Sequence, residues 1–144
     1  MLLAFFANYS FAQIPTGYYD GTAGSTGYAL KTKLHAIIKA GHQDKGYGGL
    51  WEAYKIGDLD KYYENDNTIL DIYSEKPLTA DAYNYIPGTN QCGGSTPGSE
   101  GGCYNREHVF PQGFFNEGTP MKHDYLHVFP TDNVVNGKRG NFPF

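Results

Sequence analysis

Near the C-terminal end, two short strand-like runs, each closed by a proline, are followed at once by a helical segment. Tyr104 to Phe110 precedes Pro111, and Tyr125 to Phe129 precedes Pro130. A proline cannot donate to a β-ladder, so each run predicts a strand that stops there. Asp132 to Lys138 then reads as a helix with Thr131 as its N-cap. The last third of the chain is therefore expected to be strand, loop, strand, helix, and this order restricts which side chains can meet.

The side chains it carries are those of phosphodiester chemistry. The run Asn105-Arg106-Glu107-His108-Val109-Phe110-Pro111 sets a carboxylate beside an imidazole, and Val135-Asn136-Gly137-Lys138-Arg139-Gly140-Asn141 offers an amide oxygen and two cations. Hydrolysis of a phosphodiester needs an activated water, stabilisation of charge on the phosphoryl group and help for the leaving oxygen. A neutral imidazole accepts the proton near pH 7. A hard cation such as Mg²⁺ acts as Lewis acid and template, and it takes few protein oxygens. Glu107 and Asn136 would make such a sparse site, with His108 as base. Adjacent residues of a regular strand point to opposite faces, so convergence of Glu107 and His108 requires the strand to twist, bulge or end there. Pro111 is placed to end it.

Upstream, Ala29 to Ala40 has Leu30, Leu34, Ile37 and Ile38 at helical spacing and stops at Gly41, the pattern of an amphipathic helix with a glycine cap. Leu50 to Ile56 predicts a second, short helix with Trp51 and Tyr54 facing the core. Thr68 to Tyr73 is β-branched and alternating and predicts a strand, whereas Pro77 to Gly102 is expected to be mostly loop. The 13 Tyr, 9 Phe and 19 Gly suggest a loop-rich fold with much of its buried area aromatic. With 144 residues, 40% of them hydrophobic and 18% charged, the chain is long enough for one globular domain.

Charge is distributed unevenly. Residues 1–102 carry seven Lys and eleven Asp/Glu, while residues 103–144 carry four Lys/Arg and four Asp/Glu, so the net −4 lies wholly upstream. This argues against coating nucleic acid through a broad basic surface. It permits local phosphate binding where cations converge and a metal adds charge. The apolar run from Met1, with small residues at Ser10 and Ala12 before Gln13, predicts a secretion signal over residues 1–12. No other segment approaches a bilayer-spanning length, so a membrane is not an expected partner. Cys92 and Cys103 bracket a Gly/Ser/Pro-rich stretch at a spacing unsuited to a zinc knuckle or a redox pair. In an exported protein they predict one disulfide, stabilising by about 2–3 kcal/mol; in a cytosolic one they are two thiols.

Three segments together resemble the bacterial endonuclease I family: Asn105 to Pro111; Asp124-Tyr125-Leu126-His127-Val128-Phe129-Pro130-Thr131-Asp132; and Val135 to Phe144. The similarity extends upstream through Gly17-Tyr18-Tyr19 and the helix from Ala29. The resemblance implies an α+β fold with N-terminal helices packed on a small irregular sheet and a C-terminal ββα-metal (His-Me finger) motif. It implies a secreted or periplasmic, sequence-nonspecific endonuclease that uses Mg²⁺, acts on DNA and often RNA, and leaves 5′-phosphates. Mn²⁺ and Ca²⁺ are alternatives in the same metal site, and a monomer is favoured. By position, His108 corresponds to the general base and Glu107 and Asn136 to the metal ligands. Arg139 corresponds to a recurrent arginine that contacts phosphate or supports the helix. Arg106, Lys138 and His127 join it as candidates for substrate binding or support. Family members continue beyond the last motif, so a domain over residues 13–144 is expected to be truncated at its C-terminus.

Two rival readings make different demands. A zinc hydrolase built on His123 and His127 needs those residues on a helix, because on a strand they stand about 13 Å apart at roughly 3.3 Å per residue. A non-catalytic secreted binding module for polysaccharide or protein predicts neither metal dependence nor nuclease activity. Asp124 is expected to orient nearby backbone, and His35 and His42 to be structural or exposed.

Overall fold

The computed structural model describes residues 14–93 and 98–143. The expected signal segment, residues 1–12, lies outside them. The described residues fall into two compact units, one ending at Gln43 and the other beginning at Asp44. Among the described residues, three α-helices and one antiparallel pair of strands make this an α+β fold: α1 Gly27–Lys39, α2 Gly46–Gly57, β1 Tyr104–His108, β2 Val128–Asp132 and α3 Asn133–Arg139. None of the described helices is long and apolar enough to cross a membrane.

In the first unit, successive turns lead into α1: Tyr18 N donates to Pro15 O, Asp20 N to Gly17 O and Thr22 N to Tyr19 O. The apolar stripe predicted there is real but only partly covered. Leu30, Leu34 and Ile37 are half-buried, and Ile38 is exposed. Gly41, at φ 76°, takes the left-handed conformation that closes a helix after its last turn. His35 and His42 are exposed.

The second unit is built around tyrosine. Leu50, Tyr54, Ile69, Tyr85, Tyr104 and Val128 form its core. Each buried phenol is matched: Tyr54 donates to Val128 O at 3.0 Å, Tyr85 donates to Asp132 Oδ2 at 2.7 Å, and the Tyr104 hydroxyl accepts from Gly88 N at 3.1 Å. Large apolar area is thus buried without orphaned hydroxyls. As the spacing predicts, α2 directs Trp51 and Tyr54 inward. Trp51 packs edge-on against Tyr104, which joins α2 to β1.

Three local expectations are corrected. Thr68 to Tyr73 is not a strand, although its alternation buries Ile69 and Asp71. Its amides go to three separate segments: Ile69 N to Tyr85 O, Leu70 N to Asp58 O, and Ile72 N to Pro130 O. No ladder forms beyond a single bridge between Leu59 and Ile69. The second correction concerns β2, which runs over 128–132 and not over 125–129. Asp124 holds residues 124–128 in a turn, its side chain accepting from Leu126 N and its carbonyl from His127 N and Val128 N.

Consequently Pro130 sits in the middle of β2, opposite Arg106, and does not end it. Val109 N donates to His127 O and Asn133 N to Cys103 O. These bonds put the hydrogen-bonded pairs at the odd positions of β1, so Pro130 occupies a non-bonded position where no N–H is required. The third correction is the cap of α3. Asp132, not Thr131, accepts from Val134 N and Val135 N, at 2.8 and 3.0 Å. Thr131 is buried and donates to Asp71 Oδ1 at 2.6 Å.

Cys92 and Cys103 are joined in a disulfide with Cα atoms 5.2 Å apart. The closed loop is sewn to the sheet on both sides: Cys92 N donates to Tyr104 O, and Gly101 N to Asp132 Oδ2.

Candidate active site

β1 carries Glu107 and His108 at its end, and both are almost wholly buried, at 2% and 6% exposed. Adjacent where the strand ends, they meet different partners. Glu107 Oε1 accepts from the Tyr73 hydroxyl at 2.7 Å and faces Arg139 Nε at 3.2 Å. Burial pushes the Glu107 carboxyl up, while the Tyr73 bond and the Arg139 charge pull it down without cancelling the effect. Both contacts fall on Oε1, which leaves Oε2 as the oxygen directed elsewhere.

His108 lies among rings. Tyr47 stacks at 5.8 Å between centroids, His127 stands edge-on at 5.8 Å, and Phe115 is at 6.2 Å. Its Nε2 is 3.2 Å from Lys122 O. A carbonyl can only accept, so this contact assigns the proton to Nε2 and leaves Nδ1 as the basic nitrogen of the neutral ring. Burial lowers the His108 pKa, partly offset by the Lys122 carbonyl, so the free-base form prevails at neutral pH.

α3 closes the arrangement. Asn136 and Arg139 are three residues apart on one helix, hence on one face. Asn136 Nδ2 donates to Arg106 O at 3.1 Å, which turns its amide oxygen away from the β1 backbone. Arg139 bridges the strand end, donating to His108 O at 3.4 Å and Val109 O at 2.5 Å as well as facing Glu107. Asn105 Nδ2 donates to Asn133 Oδ1 at 3.0 Å. The donor set offered by Glu107 and Asn136, a carboxylate and an amide oxygen, suits a hard cation that keeps most of its shell for water and phosphate.

The other expected residues divide. Arg106 has its guanidinium 3.5 Å from the Tyr47 ring centroid and 4.3 Å from that of Trp51, and it donates to Tyr47 O at 3.0 Å. It fastens β1 to α2. Lys138 pairs with Glu100 at the protein surface. His127 packs its ring against His108 and Phe115, and its Nε2 is buried without a hydrogen-bond partner. His123, on a short 3-10 turn, holds Asp44 through Nδ1 at 2.9 Å. Neither His123 nor His127 belongs to a three-donor group suited to a metal among the described residues; that group consists of Glu64, Glu75 and Asp81.

Sequence reasoning missed several supports. Tyr73, 34 residues before Glu107, gives no local signal of its contact. Tyr47, which stacks on both Arg106 and His108, is equally silent. Asp71, whose oxygens take Thr131 Oγ1, Tyr73 N and Asp132 N, was hidden inside the expected strand. The Asp132 cap was legible, since Asp and Thr are both good N-caps and stand side by side.

Fold and site together define an α+β protein whose buried carboxylate–imidazole pair ends one strand and is locked by a short helix. The family described as Endonuclease I matches residues 26–144, and the chain belongs to that family. It is 35% identical over 129 residues to the extracellular ribonuclease of Bacillus subtilis (strain 168), and 36% identical over 129 residues to that of Bacillus amyloliquefaciens. Each alignment covers 88% of this chain and 39% of the relative, so the chain spans well under half the length of these curated relatives. No solved structure matches.

Proposed function

We propose that the chain is a secreted, metal-dependent endonuclease that hydrolyses phosphodiester bonds without sequence specificity and leaves 5′-phosphates. The observation that carries this reading is the locking of α3 onto the end of β1, where Asn136 and Arg139 reach the backbone and carboxylate beside a buried, neutral His108. Glu107 and Asn136 would hold a divalent cation, Mg²⁺ above all, in the manner of a ββα-metal motif. Bound there, such a cation supplies Lewis-acid stabilisation of the phosphoryl oxygens and of the departing oxygen.

The protein residues do the rest. Nδ1 of His108 takes a proton from water, and the oxygen so freed forms a bond to phosphorus as the bond to the 3′ oxygen breaks. The Nε2–Lys122 O contact keeps the ring in the required tautomer. Arg139 opposes the effect of burial on Glu107 and holds its carboxyl group in place. Arg106 and His127 support the walls, and Lys138 is available to the phosphate chain only by leaving Glu100. RNA as well as DNA is a substrate in this reading, and the relatives named extracellular ribonucleases favour the RNA side. Export is supported by the disulfide, which belongs to oxidising compartments.

The test is degradation of plasmid DNA and of RNA by the purified protein, with EDTA and with Mg²⁺ restored, beside Glu107→Gln and Asn136→Ala. Loss with EDTA, recovery with Mg²⁺ and loss in both variants are expected. Undiminished cleavage in EDTA sinks the proposal.

A further inference from the structure

The series of rings that starts at His108 continues to the surface. Phe115, half-buried, has its centroid 6.2 Å from the imidazole. Phe110 lies nearly parallel to Phe115, at 6.1 Å and 15°, and Phe114 is 5.7 Å from Phe110. Exposure rises outward, from 6% at His108 to 49% at Phe110 and 66% at Phe114. Adjacent phenyl rings left in water form an apolar patch of the kind that marks a binding surface. Phe114 lies on a fixed 3-10 turn, Gln112–Phe115: Phe114 N donates to Pro111 O at 3.0 Å and Glu117 N to Gln112 O at 2.9 Å, and the turn ends on left-handed Asn116, φ 51°.

What covers such a patch follows from what adjoins it. A phenyl group has flat faces and no hydrogen-bonding atom, so it stacks on any base without reading its identity. Bases present free faces only where they are unpaired, since a duplex buries them in its own stack. Lys122, whose carbonyl meets His108 Nε2 and whose ammonium is 5.4 Å from the Tyr47 ring centroid, lies close to the same imidazole; its ammonium pairs with Glu117 at 2.6 Å and turns to a phosphate chain there by leaving that carboxylate. We infer that Phe110 and Phe114 form a stacking subsite for unpaired bases beside the scissile phosphate, which makes single-stranded nucleic acid the favoured substrate. This rests on the nuclease reading of the His108 site and adds the strand state that the site selects.

The experiment compares the purified protein with a Phe110→Ala/Phe114→Ala double variant. A labelled oligonucleotide is offered alone and annealed to its complement, and kcat/KM is measured for each. Binding of the single strand is measured in parallel by fluorescence anisotropy in a His108→Ala background. Both phenyls are surface residues, so the variant should keep its fold, which its melting temperature checks. The expected result is a fall of about tenfold or more in the single-to-double preference, carried by KM and matched by weaker anisotropy binding. Replacing both by Trp should restore the preference. An unchanged ratio, or an equal loss on both substrates, overturns the inference. If the parent cleaves neither strand, the nuclease reading fails, and anisotropy alone decides the subsite. If light scattering finds a dimer that the double variant dissolves, the patch serves self-association and the inference is wrong.

Discussion

Arg139 Nε stands 3.2 Å from Glu107 Oε1, with both side chains buried, at 11% and 2% exposed. The same guanidinium reaches the carbonyls of His108 and Val109. One side chain thus couples the last turn of α3 to the last residue of β1. Arg139→Ala leaves a buried carboxylate and two carbonyls without their partner, and breaking a buried pair costs about 3–5 kcal/mol. Urea denaturation should show a loss of that order, with Arg139→Lys intermediate because an ammonium cannot span all three acceptors. Unchanged stability with a raised KM would show instead that Arg139 works on the substrate's phosphate.

Tyr73 acts on the same oxygen. Burial and the Glu107 carboxylate both raise the Tyr73 pKa, so its hydroxyl stays a donor at every working pH. Tyr73→Phe removes that bond but keeps the ring. If Glu107 holds the metal as proposed, a partner of this kind behind it alters metal affinity by about tenfold or more. Mn²⁺ titrated into the variant, followed by paramagnetic resonance, should bind about tenfold more weakly with little change in melting temperature. Equal affinity would remove Tyr73 from the account.

Asp132 is fully buried and accepts four hydrogen bonds, from Val134 N, Val135 N, Tyr85 Oη and Gly101 N. Burial is the largest influence and pushes its pKa up, but the four donors together hold it below the ordinary value. A carboxyl with a depressed folded pKa contributes stability that is complete above its unfolded pKa and is lost as pH falls through the folded value. Asp132→Ala should cost at least about 2 kcal/mol at pH 7, through the lost cap and two orphaned donors. The variant should also lose less stability than the parent between neutral pH and roughly pH 3. Parallel pH profiles would contradict this role.

Glu75 has the opposite sign. Burial, then the Asp81 carboxylate, pushes its carboxyl up to about 7. The folded protein therefore keeps a proton that the unfolded chain gives up near the usual glutamate value, and stability falls as pH rises through that interval. Glu75→Gln should flatten the decline in melting temperature between pH 5 and 8 and raise the value at pH 8. A variant less stable than the parent at pH 8 would refute the assignment.

The strand–loop–strand–helix order and the candidate residues were legible because each signal was local: an Asn-Arg-Glu-His run, a proline, a cap beside an apolar turn. The errors arose where a remote partner decides. Ile69 to Tyr73 has strand-like alternation, yet its amides are claimed by Tyr85, Asp58 and Pro130, far apart in sequence. Pro130 reads as a strand end until the register shows that its position needs no N–H. Arg106 reads equally as a substrate contact or as support, and only the placement of α2 shows it lying on Tyr47 and Trp51.

The central claim is that His108, neutral and with Nδ1 basic, activates the attacking water. Single-turnover cleavage of a labelled RNA by the purified protein and by His108→Ala, in saturating Mg²⁺, tests it most directly. The account predicts a drop of about a hundredfold or more in the cleavage rate, with RNA binding little changed and the melting temperature lowered only by the space left among Tyr47, Phe115 and His127. A His108→Ala protein that cleaves at the parent's rate would contradict it.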